Sequence, residues 1–446
     1  MMKRNSMSTV MFAARRLFVA LFLLAVAFVG FGTARAAEIQ RVVSPKGIEA
    51  WLVQEDSVPL IAMSFAFVGG AGQDPAGKPG VANMLSGLLD EGAGDMDSQA
   101  FQAALDDASI ELSFDADSDA FTGSLKTLIE NKDEAARLLK LSLTAPRFDA
   151  EPVERIRAQV VTGIKSRLRD PQSVAGDALL KAAFPDHPYG RPLQGTIDTV
   201  ATITLDDLKG FHARNVARDN LKIAVVGAID ATTLAGFLDE VFGDLPAKAE
   251  LAPVADTEVA APARIDVDMA IPQTVISLAG RGLKRADPDF IAATIASYIL
   301  GGGSASRLYE EVREKRGLAY SVSLGLSPYD HAGAYFGGTS TRADQADAVM
   351  TLISEEIRKF AEEGPTEKEL ADAKSYLVGS YAIRFTTSSS IASQLLALQM
   401  DNLGIDYPQR RIALFEAVTI DDVRRVAKRL FDTGKLIEVR VGQAAS

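Results

Sequence analysis

The segment Arg307-Leu308-Tyr309-Glu310-Glu311-Val312-Arg313-Glu314-Lys315-Arg316-Gly317-Leu318-Ala319-Tyr320-Ser321-Val322 holds the side chains best placed to do chemistry. It reads as a charged helix stopped by Gly317 and followed at once by a strand. Arg313 falls on the last helical turn and Tyr320 at the head of the strand, so the turn can aim both into one cleft. A guanidinium and a phenol converging there would hold a carbonyl group or stabilise an oxyanion. The spacing alone leaves a second reading open, in which Arg313 pairs with Glu310 at i,i+3 and Tyr320 is an ordinary strand aromatic. Other chemistry is scarce. The chain has no cysteine, which excludes disulfides, thiolate metal sites and cysteine nucleophiles together. Its three histidines, His187, His212 and His331, include no pair at i,i+3 or i,i+4. His187 stands in a proline-punctuated loop, His212 on a helix over 206–217 and His331 in a turn, so no catalytic zinc of this chain's own is expected. There is no G-x-S-x-G elbow, no phosphate-binding G-x-x-x-x-G-K-[ST] loop and no H-E-x-x-H. Gly301-Gly302-Gly303-Ser304 lacks the Lys-Ser/Thr of a phosphate loop and reads as a turn capping a helix over 304–316.

The elements that must position Arg313 and Tyr320 come in two matching sets. Thr204-Leu205-Asp206-Asp207-Leu208 leads into the strand pattern Leu221–Gly227, and the same plan returns at a constant offset. Its second copy runs from Thr419-Ile420-Asp421-Asp422-Val423 into 436–442, with Thr, both Asp, Arg214/Arg429, Leu, Val and Gly identical. In each copy a threonine N-cap and two acids in the first turn predict a helix start. An apolar run stopped by glycine then predicts a strand. The beginnings also match: Val58-Pro59 opens a strand over 60–68, and Ile271-Pro272 opens one over 275–279. Helical periodicity is clear at 98–108, 132–144, 151–168, 343–362 and 367–383. The expected fold is α+β: two homologous domains from an internal duplication, each a mostly antiparallel sheet with helices packed on one face. The N-terminal domain should span 37–246, an Ala/Pro/acid-rich linker 247–264, and the C-terminal domain, with Arg313 and Tyr320, 265–446.

At 446 residues, 47% hydrophobic and 24% charged, the chain has ordinary globular composition, long enough for two or three domains. Its formal charge is −12, and the first 36 residues carry five basic residues and no acid, so without them it is −17. Such a balance argues against nucleic acid as a partner and against anionic membranes. Residues 17–31 are an uncharged apolar run behind Arg15-Arg16 and before Thr33-Ala34-Arg35-Ala36. A basic region, a short apolar core and an Ala-x-Ala site read as a signal peptide over 1–36, cleaved near Ala36. The expected mature protein is exported, periplasmic and without stable membrane insertion.

Together these residues resemble the pitrilysin/insulysin-type zinc metallopeptidases (inverzincins), a family that includes mitochondrial processing peptidase. The family's C-terminal signature, S-R-L followed by R-E-K-x-G-L-A-Y-S-V, is matched nearly letter for letter by Ser306–Leu308 and Arg313–Val322. The stretch 184–195, with His-Pro-Tyr-Gly-Arg-Pro and a later Gly-Thr, and the duplication itself are also similar. The resemblance implies that Arg313 and Tyr320 reach the substrate carbonyl near a metal. It also exposes a departure. Where the family carries H-x-x-E-H, this chain reads Asn83-Met84-Leu85-Ser86-Gly87, so the two ligands and the base have become Asn83, Ser86 and Gly87. The third ligand, a glutamate, falls near Thr162-Gly163-Ile164, at Gly163, where no acid stands. The resemblance therefore implies a subunit that holds no zinc, with the zinc expected in a homologous partner chain of a heterodimer or larger assembly. Such a chain would be inactive alone. It would bind unfolded peptide and supply Arg313 and Tyr320 to the partner's site. The alternative is a structural or peptide-binding protein of the same fold with no catalytic role. N-terminal sequencing of the protein recovered from the periplasm should begin at Ala37, and a mature chain that still carries residues 1–36 would overturn the export reading.

Overall fold

Thr204 and Thr419 show the duplication in the computed structural model, which describes residues 38–431 and 436–443. The Thr204 hydroxyl donates to Asp207 at 2.6 Å and its backbone N–H to the same carboxylate at 2.7 Å. Thr419 repeats this on Asp422 at 2.6 and 2.9 Å. Each capped helix, Leu205–Asn215 and Ile420–Phe431, then leads to a central strand, β6 (Leu221–Gly227) or β11 (Ile437–Gly442). The signal-peptide reading falls outside the described residues.

The N-terminal sheet adds β1 (Ile39–Val43), β2 (Glu49–Gln54), β3 (Leu60–Val68), β4 (Glu111–Ala116) and β5 (Ala120–Leu128) in the order β1-β2-β6-β3-β5-β4. The C-terminal sheet adds β7 (Arg264–Asp268), β8 (Gln273–Arg281), β9 (Val322–Pro328) and β10 (Gly333–Arg342) in the order β7-β11-β8-β10-β9. With β1 set aside the two orders are the same. In each, one pair is parallel (β2 with β6, β7 with β11) and the next three are antiparallel. Both sheets also seat an aromatic ring over a glycine of the adjacent strand: Phe65 pairs with Gly123, and Tyr335 with Gly280. A Cβ on either glycine would lie 2.1 Å from a ring atom, so only glycine fits.

Strand alternation sends Ile61, Met63, Phe65 and Phe67 of β3 into the core made with the N-terminal half's own helices. The opposite face of that sheet presents small residues, Ala62, Ser64, Ala66 and Ala224, all buried. A helix of the other half, Ser388–Met400, packs there. Its Ser393 hydroxyl lies 3.3 Å from that of Ser64, and the Gln399 amide donates to the Ile223 carbonyl at 2.8 Å. The arrangement is reciprocal. In the C-terminal half Ile276 and Leu278 of β8 face that half's own helices. Val275 and Ala279, with Ile437, Val439 and Val441, pack instead against Ala175, Leu179 and Ala183 of the Pro171–Ala183 helix. Helices on one face are thus half of the arrangement, and one helix from the other half covers the second face.

The linker stretch has no helix or strand from 247 to 263, yet it is strapped down. Ala252 N–H donates to Gln73 at 2.7 Å, Thr257 N–H to the His331 carbonyl at 2.8 Å, and Ala260 N–H to the Ala183 carbonyl at 2.9 Å. Nearby, the Tyr189 hydroxyl donates to Asp119 at 2.5 Å and accepts the His331 N–H at 3.0 Å.

Because Leu179 belongs to the first half but is buried against the second sheet, Leu179→Ala should cost about 2–5 kcal/mol, the usual range for a buried leucine. Thermal unfolding should remain a single transition at lower temperature. Two separated transitions, with only one displaced, would show that the halves fold independently.

Candidate functional site

The helix that carries Arg313 starts three residues later than the glycine run suggested. Ser306 is its N-cap, accepting the Tyr309 N–H, and the Ser306 hydroxyl donates to the Gly303 carbonyl at 2.6 Å. Leu308 and Val312 anchor one side in the core. Residues Glu310–Glu314 form a π-helical turn, with Lys315 N–H reaching the Glu310 carbonyl at 2.9 Å. Such turns insert an extra residue and re-aim the side chains on them. Gly317 then ends the helix at φ +59°, a left-handed conformation that glycine adopts at little cost.

The structure brings Arg313 and Tyr320 together. The Arg313 guanidinium carbon lies 4.7 Å from the Tyr320 ring centroid and 4.9 Å from that of Tyr309. The pairing with Glu310 that spacing alone allowed is not made. Glu310 is taken by Lys315 at 3.1 Å, and Glu311 by Lys315 at 2.5 Å and by Arg316. Among the described residues the one carboxylate Arg313 meets is Glu314, at a long 3.7 Å. Tyr320 does not head the strand. It stands two residues before β9, 81% exposed, on a segment pinned from β10: Thr341 donates to the Leu318 carbonyl at 2.6 Å and Thr339 to the Ser321 carbonyl at 2.7 Å. The platform ring of Tyr309 and the two buried threonines escaped the sequence reading. Only the i,i+4 spacing of Tyr309 and Arg313 could have pointed to the first. The arrangement presents two donors, a guanidinium and a phenol, to a carbonyl oxygen that gathers charge. Arg307 on the same helix is committed elsewhere, bidentate to Glu369 at 2.6 and 2.8 Å.

Asn83, Ser86 and Gly87 lie on or just after the short Val81–Ser86 helix, which packs against the Ala150–Arg167 helix bearing Gly163. Neither Arg313 nor Tyr320 bonds to any of these four among the described residues. The Ser86 hydroxyl is turned inward and donates to the Asn83 carbonyl at 2.8 Å. A Cβ on Gly87 would meet Ile156 at 3.2 Å, whereas one at Gly163 would meet nothing within 4 Å. A catalytic zinc wants three imidazole, carboxylate or thiolate ligands, and this set has none, so these residues do not fit the metal. No group of three or more His, Cys, Asp or Glu that could hold an ion occurs among the described residues. The histidines are otherwise engaged. His187 bonds the Ala255 carbonyl at 3.0 Å and His212 the Leu143 carbonyl at 2.9 Å, and burial pushes both below the ordinary histidine range. His331 contacts Asp256 at 3.2 Å.

The degenerate helix is nevertheless held firmly. Gly80, its N-cap, has no side chain to offer, so the buried Asp74 accepts from Gly80 N–H at 2.7 Å and Ala82 N–H at 2.8 Å. Burial outweighs those bonds and pushes the Asp74 carboxyl up to about 6.

Comparison with known proteins bears on the same region. The family model described as "Peptidase M16 inactive domain" matches residues 202–377, which include Arg313 and Tyr320 but not Asn83–Gly87. An uncharacterized zinc protease of Mycobacterium bovis is 32% identical over 291 residues, covering 64% of this chain and 66% of its own length. A Helicobacter pylori protein named a non-peptidase homolog is 27% identical over 75% of this chain and 77% of its own. Among solved structures, an M16 inactive domain from Pseudomonas fluorescens superposes with a TM-score of 0.86 at 28% identity, covering 92% of this chain and 98% of that one.

Asp74 is raised in the folded state, so the native protein binds its proton more tightly than the unfolded chain does. Its contribution is full below pH 3.8 and is lost as pH rises through about 6. Relative to Asp74→Asn, wild type should therefore gain stability as pH falls from 7 to 4. A Tm difference between the two that stays flat over this range would refute the assignment.

Proposed function

The chain belongs to the M16 (pitrilysin/insulysin-type) peptidase family, and on that footing we propose that it is the substrate-binding subunit of a two-chain zinc peptidase. By itself it is a non-catalytic peptidase-fold protein. The observation that carries the finer reading is the unequal fate of the two half-sites. The zinc positions have been replaced by Asn83, Ser86, Gly87 and Gly163, while Arg313 remains seated against the exposed Tyr320 with its neighbouring acids drawn away by Lys315 and Arg316. A scaffold with no chemical duty has no need of an arginine kept clear in this way.

In this reading a homologous partner carries the zinc and its activated water, in a heterodimer or larger assembly outside the cytoplasm. This chain binds unfolded peptide as an added strand, a mode that reads extended backbone. The Arg313 guanidinium and the Tyr320 hydroxyl donate to the scissile carbonyl oxygen, and those bonds strengthen as the oxygen becomes anionic. Tyr309 holds the guanidinium from its other side.

In a complex reconstituted with a zinc-bearing relative, Arg313→Ala and Tyr320→Phe should each lower kcat by about 10²–10³, or roughly 2.7–4 kcal/mol, without weakening assembly. Arg313→Lys should fail as well, because an ammonium cannot reproduce the planar fork. Arg307→Ala should lower Tm through loss of Glu369 and leave kcat near wild type. Wild-type turnover with both Arg313 and Tyr320 removed would leave the structural-protein alternative in its place.

A further inference from the structure

Arg411 differs from four other enclosed arginines. Arg157, Arg285, Arg307 and Arg440 have side chains less than a fifth exposed, and each meets a carboxylate: Glu154, Asp401, Glu369, and Asp347 with Glu438. Arg411, in the middle of the Tyr407–Ala417 helix, is 8% exposed and meets none among the described residues. One of its five N–H donors reaches the Leu377 carbonyl at 3.0 Å, near the end of the Glu367–Gly379 helix. Its guanidinium carbon lies between the rings of Tyr381 and Phe415, 4.1 Å from each centroid.

The neighbourhood compounds the imbalance. Desolvation pushes Arg411 below the ordinary arginine range; Tyr407 and Tyr381 oppose that shift, and the positive charges of Arg384 and Arg285 add to it. Arg285 is neutralised by Asp401 at 3.0 Å, whereas the exposed Arg384 has no acidic partner among the described residues. The Tyr381 hydroxyl is buried and has no hydrogen-bond partner among the described residues. Buried charges in folded proteins are normally paired. In a chain of net charge −12, Arg411 and Arg384 are two arginines that no carboxylate meets among the described residues.

Arg384 is three residues after Tyr381 in the 3₁₀ turn Ser380–Phe385, where i and i+3 share a face, so it leaves the same side as the ring that covers Arg411. The geometry points to a carboxylate-binding site formed by Arg411 and Arg384, which takes the carboxylate of a bound peptide. Aromatic rings flank the guanidinium, so a ligand must approach the edge of its plane, where a flat two-oxygen group matches the fork better than a tetrahedral anion does. Ile383 stands next to Arg384 and is 70% exposed, an apolar contact for the residue beside the carboxylate. This inference rests on the peptide-binding reading above and adds the chemistry of one subsite to it.

The test uses the full chain alone and two labelled unstructured peptides, identical except that one ends in a free carboxylate and the other in a carboxamide. Fluorescence anisotropy should show the acid bound roughly tenfold tighter, the scale of one charge-assisted hydrogen bond. Arg411→Gln and Arg384→Gln should each bring that ratio towards one while leaving carboxamide affinity unchanged. Should Arg411→Gln fail to fold, Arg384→Gln decides, because Arg384 is exposed and has no ion pair to lose. Equal affinity of native chain for the two peptides, or an undiminished ratio in Arg384→Gln, overturns the inference. If inorganic phosphate raises the Tm of the native chain but the peptides are not distinguished, the site takes a free anion and the peptide assignment is wrong. A chain that prefers the acid peptide yet supports no cleavage with a zinc-bearing partner upholds this subsite and removes only the catalytic role of Arg313 and Tyr320.

Discussion

Neither sheet can bury both of its faces with the helices of its own half. One face of each takes those helices, and the other is closed by a single helix from across the duplication, Ser388–Met400 on the first sheet and Pro171–Ala183 on the second. An open apolar sheet face in water is costly at roughly 25 cal/mol per Å², so each half is incomplete without the other. The small residues of the first sheet, Ala62, Ser64, Ala66 and Ala224, let the foreign helix approach closely enough for Gln399 to reach a strand carbonyl. The strap over 247–263 and the Tyr189–Asp119–His331 contact join the same two halves. A scaffold coupled in this way holds exposed side chains in fixed positions without large cores of their own.

That scaffold is as firm around Val81–Ser86 as elsewhere. Asp74 still supplies the acceptor that Gly80 cannot, and it does so against a desolvation penalty. Meanwhile Ser86 satisfies its hydroxyl on its own helix, and Gly87 leaves space that Ile156 partly fills. Fold and site chemistry are thus separable here: the Val81–Ser86 helix is firmly held, and Asn83, Ser86 and Gly87 on or beside it are neutral.

The chain is acidic, yet its arginines are sharply divided. Those that join elements are paired with carboxylates at close range, as Arg307 is with Glu369 and Arg440 with Asp347. Arg313 is held by aromatic rings instead, which orient a guanidinium without consuming its in-plane donors. Lys315 and Arg316 complete the arrangement by occupying the two glutamates that would otherwise capture it. Arg411 shares this ring-held state in a more enclosed setting.

Much of this was legible in the chain itself. The sequence by itself determined the duplication, because each half repeats a local signal that acts over a few residues: the Thr cap with its Asp, the apolar run and the closing glycine. It determined the strand over 60–68 and the helix over 132–144 for the same reason, and residue type alone shows that Asn83, Ser86, Gly87 and Gly163 offer a metal no imidazole, carboxylate or thiolate. Tertiary structure decided the rest. The helix start moved to Arg307 because the Ser306 hydroxyl finds the Gly303 carbonyl and Leu308 finds the core. The choice between Glu310 and Tyr320 as neighbours of Arg313 depended on a π turn and on threonines from β10, distant in sequence. The two exchanged helices look like any amphipathic helices when read locally. Which sheet each would cover was set by long-range packing, because hydrophobic burial is non-directional and a periodic pattern says that a face must be covered without saying by what.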